Sequence, residues 1–163
     1  MATSEHFQEA ELACPCCGVN GVQQPVLDAA EAIRSAAEQR YGKVRVKTTS
    51  AYRCPAHNAA IGGSVKSQHM LGTALDIRLQ AFKWNKFLNL KQWVTIAPCE
   101  WEDLARQAPG LGGYGRDDER QFAHIDTRDK IAQWCYKSYA HPQNSTKKFY
   151  RECAYYSQVK VKK

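Results

Sequence analysis

Two short stretches hold the residues whose types and spacing allow chemistry: Ser67-Gln-His69-Met-Leu-Gly72-Thr-Ala-Leu-Asp76, and Phe122-Ala-His124-Ile-Asp126. Two imidazoles and a carboxylate are a good donor set for zinc, with a fourth position left for water. Water activated in this way is a hydrolytic nucleophile near neutral pH. The seven-residue step from His69 to Asp76 fits neither a helical metal pair nor a nucleophile motif. A polar turn entering a strand explains it equally well, and a histidine near an aspartate is commonly a hydrogen-bonded structural pair. His124 and Asp126 are more specific, because residues i and i+2 of a strand project from the same face. His57 reads as structural, and His6 and His141 sit in polar contexts.

The surrounding pattern predicts the elements that must carry these groups. Pro25 to Tyr41 reads as a helix: Pro25 suits an early position, Val26, Leu27, Ala30, Ile33 and Ala37 share one face, and Gly42 ends it. Lys43 to Ser50 alternates as a half-buried strand. Cys54 to Ile61 reads as a short helix opened at Pro55 and stopped by Gly62-Gly63. Thr73 to Leu79 alternates again, with Leu75, Ile77 and Leu79 on one face and Ala74, Asp76 and Arg78 on the other. Residues 82–107 are rich in Trp, Phe and Leu and predict helices interrupted at Pro98. A glycine-rich connection and a charged tip, Arg116 to Arg120, precede a strand over Gln121 to Arg128. The stretch from Asp129 to Tyr139 predicts a further helix.

Composition bounds the rest. The 163 residues are 44% hydrophobic, enough for one α+β domain with a real core. The chain shows no internal repeat and no run of the roughly 18 apolar residues needed for a membrane span. The start, Met1 to Leu12, is polar and acidic and lacks the regions of a secretory signal, which predicts synthesis in the cytoplasm. The net charge of +7 is uneven: residues 130–163 carry eight bases against Glu152 alone. That basic C-terminal segment suits an anionic polymer, or is simply a solvated tail. Seven cysteines cannot pair off completely. Cys14, Cys16 and Cys17 resemble half of a zinc knuckle with no second half following. Cys54 could complete a structural site or a disulfide with them, and buried free thiols explain them as well. A nucleic-acid-binding zinc protein is disfavoured by the missing half-finger, so no nucleic-acid partner is expected.

Ser50 to Ile77, SAYRCPAHNAAIGGSVKSQHMLGTALDI, resembles the signature of the M15 family of zinc D,D-peptidases, and GGYGRDDERQFAHIDTR continues it in the right order. The match runs over about residues 45 to 128, and the opening FQEAELACPCCG resembles the leader segment of phage members. The resemblance implies a small antiparallel sheet flanked by helices, as in D,D-peptidases and the hedgehog signalling domain. It implies one zinc ion held by His69, Asp76 and His124. Arg53 would stabilise the oxyanion or hold a substrate carboxylate or carbonyl, and Ser67 and Tyr114 would line the substrate groove. Several relatives carry an acid three residues before the last histidine, where this chain has Gln121, which cannot accept a proton. The general base is therefore expected to be Asp126, with Glu119 or Asp118 as alternatives and a second-sphere role as the other reading of Asp126. The implied activity is hydrolysis of the peptide stems or crosslinks of peptidoglycan by a monomer acting on the cell wall, as phage endolysins do. The basic C-terminal part would meet anionic wall polymers. The alternative is a wall-binding module that keeps the fold and metal without turnover.

Overall fold

The computed structural model describes residues 2, 4–137 and 149–151. A short helix α1 (Glu9–Leu12) leads to the main helix α2 (Gln24–Tyr41). Pro25 lies in its first turn, and Gly42, at φ 75°, caps its end by donating its N–H to the Glu38 carbonyl. Strand β1 (Val44–Ser50), helix α3 (Pro55–Ala60) and a 3-10 turn (Gln68–Leu71) follow. Next come β2 (Ala74–Asn85), β3 (Leu90–Thr95), a second 3-10 turn (Pro98–Glu100), α4 (Glu102–Gln107), β4 (Gly113–Asp117), β5 (Phe122–Asp126), β6 (Ala132–Lys137) and β7 (Phe149–Arg151).

The strands form one seven-stranded sheet in the order β1-β2-β5-β4-β6-β7, with β3 also paired to β2. Twelve-residue β2 organises it. One edge pairs with β1 over Asp76 to Ala81, while the other pairs first with β5 and then with β3. All pairs are antiparallel except β4 with β6, so the α+β sheet expected to be antiparallel is mixed.

The core lies between one sheet face and α2. Val26, Leu27, Ala30, Ile33 and Ala37 meet Leu75, Ile77, Leu79, Ala123 and Ile125 in one buried cluster. Truncating one of these isoleucines or leucines to alanine removes about 2–5 kcal/mol. Because strand residues alternate, burying Leu75 and Ile77 under α2 turns Asp76 to the other face. The same alternation on β5 buries Ala123 and Ile125 and turns His124 and Asp126 toward Asp76.

Two expected helices are strands. Residues 82–95 form the β2–β3 hairpin, in which Phe82 stands opposite Trp93 with ring centroids 5.2 Å apart. Asn85 shapes the turn by accepting the Phe87 and Leu88 N–H groups, and Asn89 takes φ 48°. A dense apolar run does not by itself separate helix from strand, and the aromatic cross-strand pair decides it here. The expected C-terminal helix is β6, whose Trp134 and Tyr136 pack as a T-shaped pair. Most of the basic segment 130–163 lies outside the described residues.

Candidate metal centre

Strand register places the site. Asp76 pairs with Ser50 on one side and His124 on the other, His124 pairs with Gly115, and Gly115 with Trp134. One row across five strands therefore holds a carboxylate and an imidazole side by side. His69 reaches the same point from the 3-10 turn before β2. That turn ends at Gly72, whose φ of 72° is left-handed and whose α-carbon lies against the Gly21 carbonyl, where a side chain would not fit.

The three donor atoms converge. His69 Nε2 lies 3.2 Å from Asp76 Oδ1 and 3.2 Å from His124 Nδ1, and His124 Nδ1 lies 2.9 Å from Asp76 Oδ1. All three residues are buried. The outer nitrogens decide the tautomers. His69 Nδ1 is 2.7 Å from the Ala51 carbonyl oxygen, so it must carry the hydrogen and Nε2 keeps its lone pair. His124 Nε2 is 2.9 Å from Asp126 Oδ2, so it donates and Nδ1 keeps its lone pair. With both rings neutral, two lone pairs and a carboxylate oxygen face one another with no donor between them, an arrangement that a cation resolves, be it a metal ion or a proton on His124. Donors about 2.0–2.1 Å from a tetrahedral zinc stand about 3.3 Å apart, close to the edges of this triangle.

The electrostatics agree. Burial lowers the His69 pKa against the pull of Asp76. For His124 burial works the same way but is outweighed by Asp126 and Asp76, and its pKa is raised. Asp76 is held far below the usual carboxylate range by the two histidines, against the effect of burial. Arg53 takes the other carboxylate oxygen: its Nη2 donates to Asp76 Oδ2 at 2.7 Å, and its Nε to Ser50 Oγ at 2.7 Å. The backbone N–H of Arg53 donates to the His69 carbonyl at 3.2 Å, tying the two segments together.

Asp126 stands behind His124. It is fully buried and accepts from His124 Nε2 on one side and from the Arg128 guanidinium, at 2.5 to 3.0 Å, on the other. It therefore meets the ring edge opposite the donor triangle, and that placement does not suit the general base expected of it. Gly113 and Gly115 on β4 make the space. A methyl group at Gly113 would occupy the position of the Asp126 carboxylate, and one at Gly115 the position of the Trp134 indole.

A cleft of about 580 Å³ opens beside Asp76, lined by Arg53, His57, Arg78, Glu119, Arg120 and Phe122 among others. Glu119 thus shares a cleft with the carboxylate and guanidinium of the centre. Gln121, at φ 57°, turns its amide to the Asp118 carbonyl. Tyr114 is not in the groove expected for it. Its ring is buried against Trp101 and its hydroxyl donates to the Pro98 carbonyl at 2.9 Å, with burial raising its pKa well above the ordinary value. Ser67 precedes the 3-10 turn that carries His69 and is not among the residues lining the cleft. Residues that sequence reasoning passed over include Trp134, 5.3 Å from His124 between ring centroids, Arg128, and the cleft residues His57, Arg78 and Arg120. An arginine two positions after Asp126 was the available signal for Arg128, and strand alternation, which puts Arg78 on the face of Asp76, was the signal for Arg78.

The mixed sheet backed by α2 carries two histidines and a carboxylate that converge on its open face, in a fold compatible with the hedgehog-like type. The chain belongs to the M15 peptidase family: a family model described as Peptidase M15 matches residues 5–126, a span that holds all three donors and Arg53. The family is zinc-dependent. No curated protein matches the chain.

Proposed function

We propose that this protein is a zinc peptidase that hydrolyses peptide stems or crosslinks of bacterial peptidoglycan, with His69, Asp76 and His124 as the metal ligands. The observation that carries the reading is the donor triangle, in which both outer ring nitrogens are tied to acceptors and both inner lone pairs face Asp76 Oδ1. When bound, zinc supplies a Lewis acid that polarises the scissile carbonyl and makes water a competent nucleophile near neutral pH.

The chain's own residues do the rest. Asp126 holds His124 in the tautomer that presents Nδ1, and Arg128 holds Asp126. Arg53 is fixed by Asp76 and Ser50 at the cleft wall, where its guanidinium stabilises charge growing on the substrate carbonyl oxygen. Glu119 takes the proton from water and returns it to the leaving amine; a carboxylate on the cleft wall has the charge type this needs. Arg78 and Arg120 give the cleft a cationic wall that suits the carboxylates of a peptidoglycan stem. Ser67 acts through the turn that holds His69. A phage endolysin acting on the host wall, with the basic C-terminal part on anionic polymers, fits this assignment.

The test is release of soluble peptide fragments from purified peptidoglycan, followed by mass spectrometry. Chelation and His69→Ala should each abolish release; unchanged release after either would overturn the mechanism. A second reading, a wall-binding module without turnover, is favoured by Gln121, whose amide cannot act as a base. It predicts binding to sacculi with no fragments released.

A further inference from the structure

The half-knuckle near the N-terminus finds its other half in space. Cys14 and Cys17 have the C-x2-C spacing of a zinc turn, and the backbone closes that turn: Gly18 N–H donates to the Cys14 carbonyl at 2.8 Å, and Cys14 N–H to the Val19 carbonyl at 2.9 Å. Forty residues on, Cys54 stands at the start of α3, and the Sγ atoms of Cys14, Cys17 and Cys54 all lie within 4.8 Å of one another. Sulfurs about 2.3 Å from a tetrahedral zinc stand about 3.8 Å apart, so a small inward movement makes this triangle a ligand set. Two backbone amides point at the sulfurs, Cys54 N–H to Cys14 Sγ at 3.4 Å and His57 N–H to Cys54 Sγ at 3.4 Å. Amides so placed stabilise thiolates, the form in which cysteine binds metal.

We propose that Cys14, Cys17 and Cys54 hold a structural zinc ion separate from the His69–Asp76–His124 centre. Zinc binding displaces the thiol protons to solvent, and none of the three sulfurs belongs to a residue lining the cleft of Arg53 and Glu119, so this ion takes no part in hydrolysis. It staples the N-terminal turn to the residue that follows Arg53. Since Arg53 N–H also bonds the His69 carbonyl, the staple fixes the segment that brings the guanidinium to Asp76.

The whole chain, purified with reductant, should contain more than a single zinc ion. Loaded with cobalt, it should show thiolate-to-cobalt charge transfer in the near ultraviolet, a band that the His/Asp centre cannot give. Cys17→Ser, at an exposed position, should abolish that band, lose one metal ion and lower Tm. The same variant should keep the ion that His124→Ala loses, and Cys99→Ser should change nothing. The proposal is overturned if the cobalt protein lacks the band, if Cys17→Ser leaves it intact, or if peptide mapping of the unreduced protein finds Cys14, Cys17 or Cys54 in a disulfide. Each readout is independent of peptidase activity, so failure here leaves the catalytic reading standing, and the reverse.

Discussion

Asp126 and His124 lie two residues apart on β5, and the carboxylate takes the hydrogen of Nε2 at 2.9 Å while the opposite nitrogen faces Asp76. One side chain thereby sets which lone pair its neighbour offers. Asp126→Asn keeps the size but removes the charge and allows the amide to donate, which favours the wrong tautomer. We expect zinc affinity to fall by about 10–100-fold, with peptidase activity falling in parallel at low zinc and largely recovering at saturating zinc. Competition titration with a chromophoric chelator measures the first, and an activity assay across zinc concentrations the second. If Asp126 were the base, activity would stay low at any zinc concentration.

Glu119→Gln should lower kcat by about 10²–10⁴-fold while zinc content and KM change little. Asp118→Asn, on the same exposed tip, serves as the comparison. A wild-type rate in Glu119→Gln would remove it from the mechanism.

Arg53→Lys keeps the charge but cannot bond Asp76 and Ser50 together as the guanidinium does. A loss of about 10²–10³-fold in kcat is expected, in line with removal of one oxyanion donor. Equal kcat with raised KM would instead assign Arg53 to ground-state binding of a substrate carboxylate.

Zinc affinity should be pH-dependent in a defined direction. Asp126 and Asp76 raise His124 above its ordinary 6.5, so the metal-free ring keeps its proton to higher pH. Zinc must displace that proton, and affinity weakens as pH falls through the raised value, beginning above 6.5. His69, lowered by burial, takes up its proton at lower pH and adds to the loss there. Isothermal titration across this range measures the slope; affinity that does not fall as the solution is acidified would contradict the ligand set.

Gly115→Ala places a methyl group in the position of the Trp134 indole, so the ring must shift. Overpacking of this kind costs about 1–3 kcal/mol, readable as a lowered Tm, and displaces the indole that packs on His124.

Much of this was legible in the chain. The stripe Val26, Leu27, Ala30, Ile33 and Ala37 predicts α2, and the alternations in 43–50 and 73–79 predict β1 and the start of β2, because side-chain direction there follows from local backbone geometry. The identity and order of His69, Asp76 and His124 follow from motif resemblance, and their convergence is what the structure adds. Residues 82–95 and 132–137 were misread as helices, since their apolar density fits either state until a partner strand pairs with it. The resemblance implies a groove position for Tyr114; alternation along β4 puts Gly113 and Gly115 toward the site and Tyr114 into the core.

The sequence by itself determined which donors exist and which face of each strand they occupy, because periodicity is a property of neighbours in the chain. The tertiary structure decided which lone pairs meet, that Asp126 stands behind its histidine while Glu119 lines the cleft, and that Cys54 joins a turn 40 residues away. Those outcomes depend on hydrogen bonds and register between residues such as Ala51 and His69, or Asp76 and His124, far apart in sequence. A tautomer is set by what the far side of a ring touches, and that contact exists only once the sheet has formed.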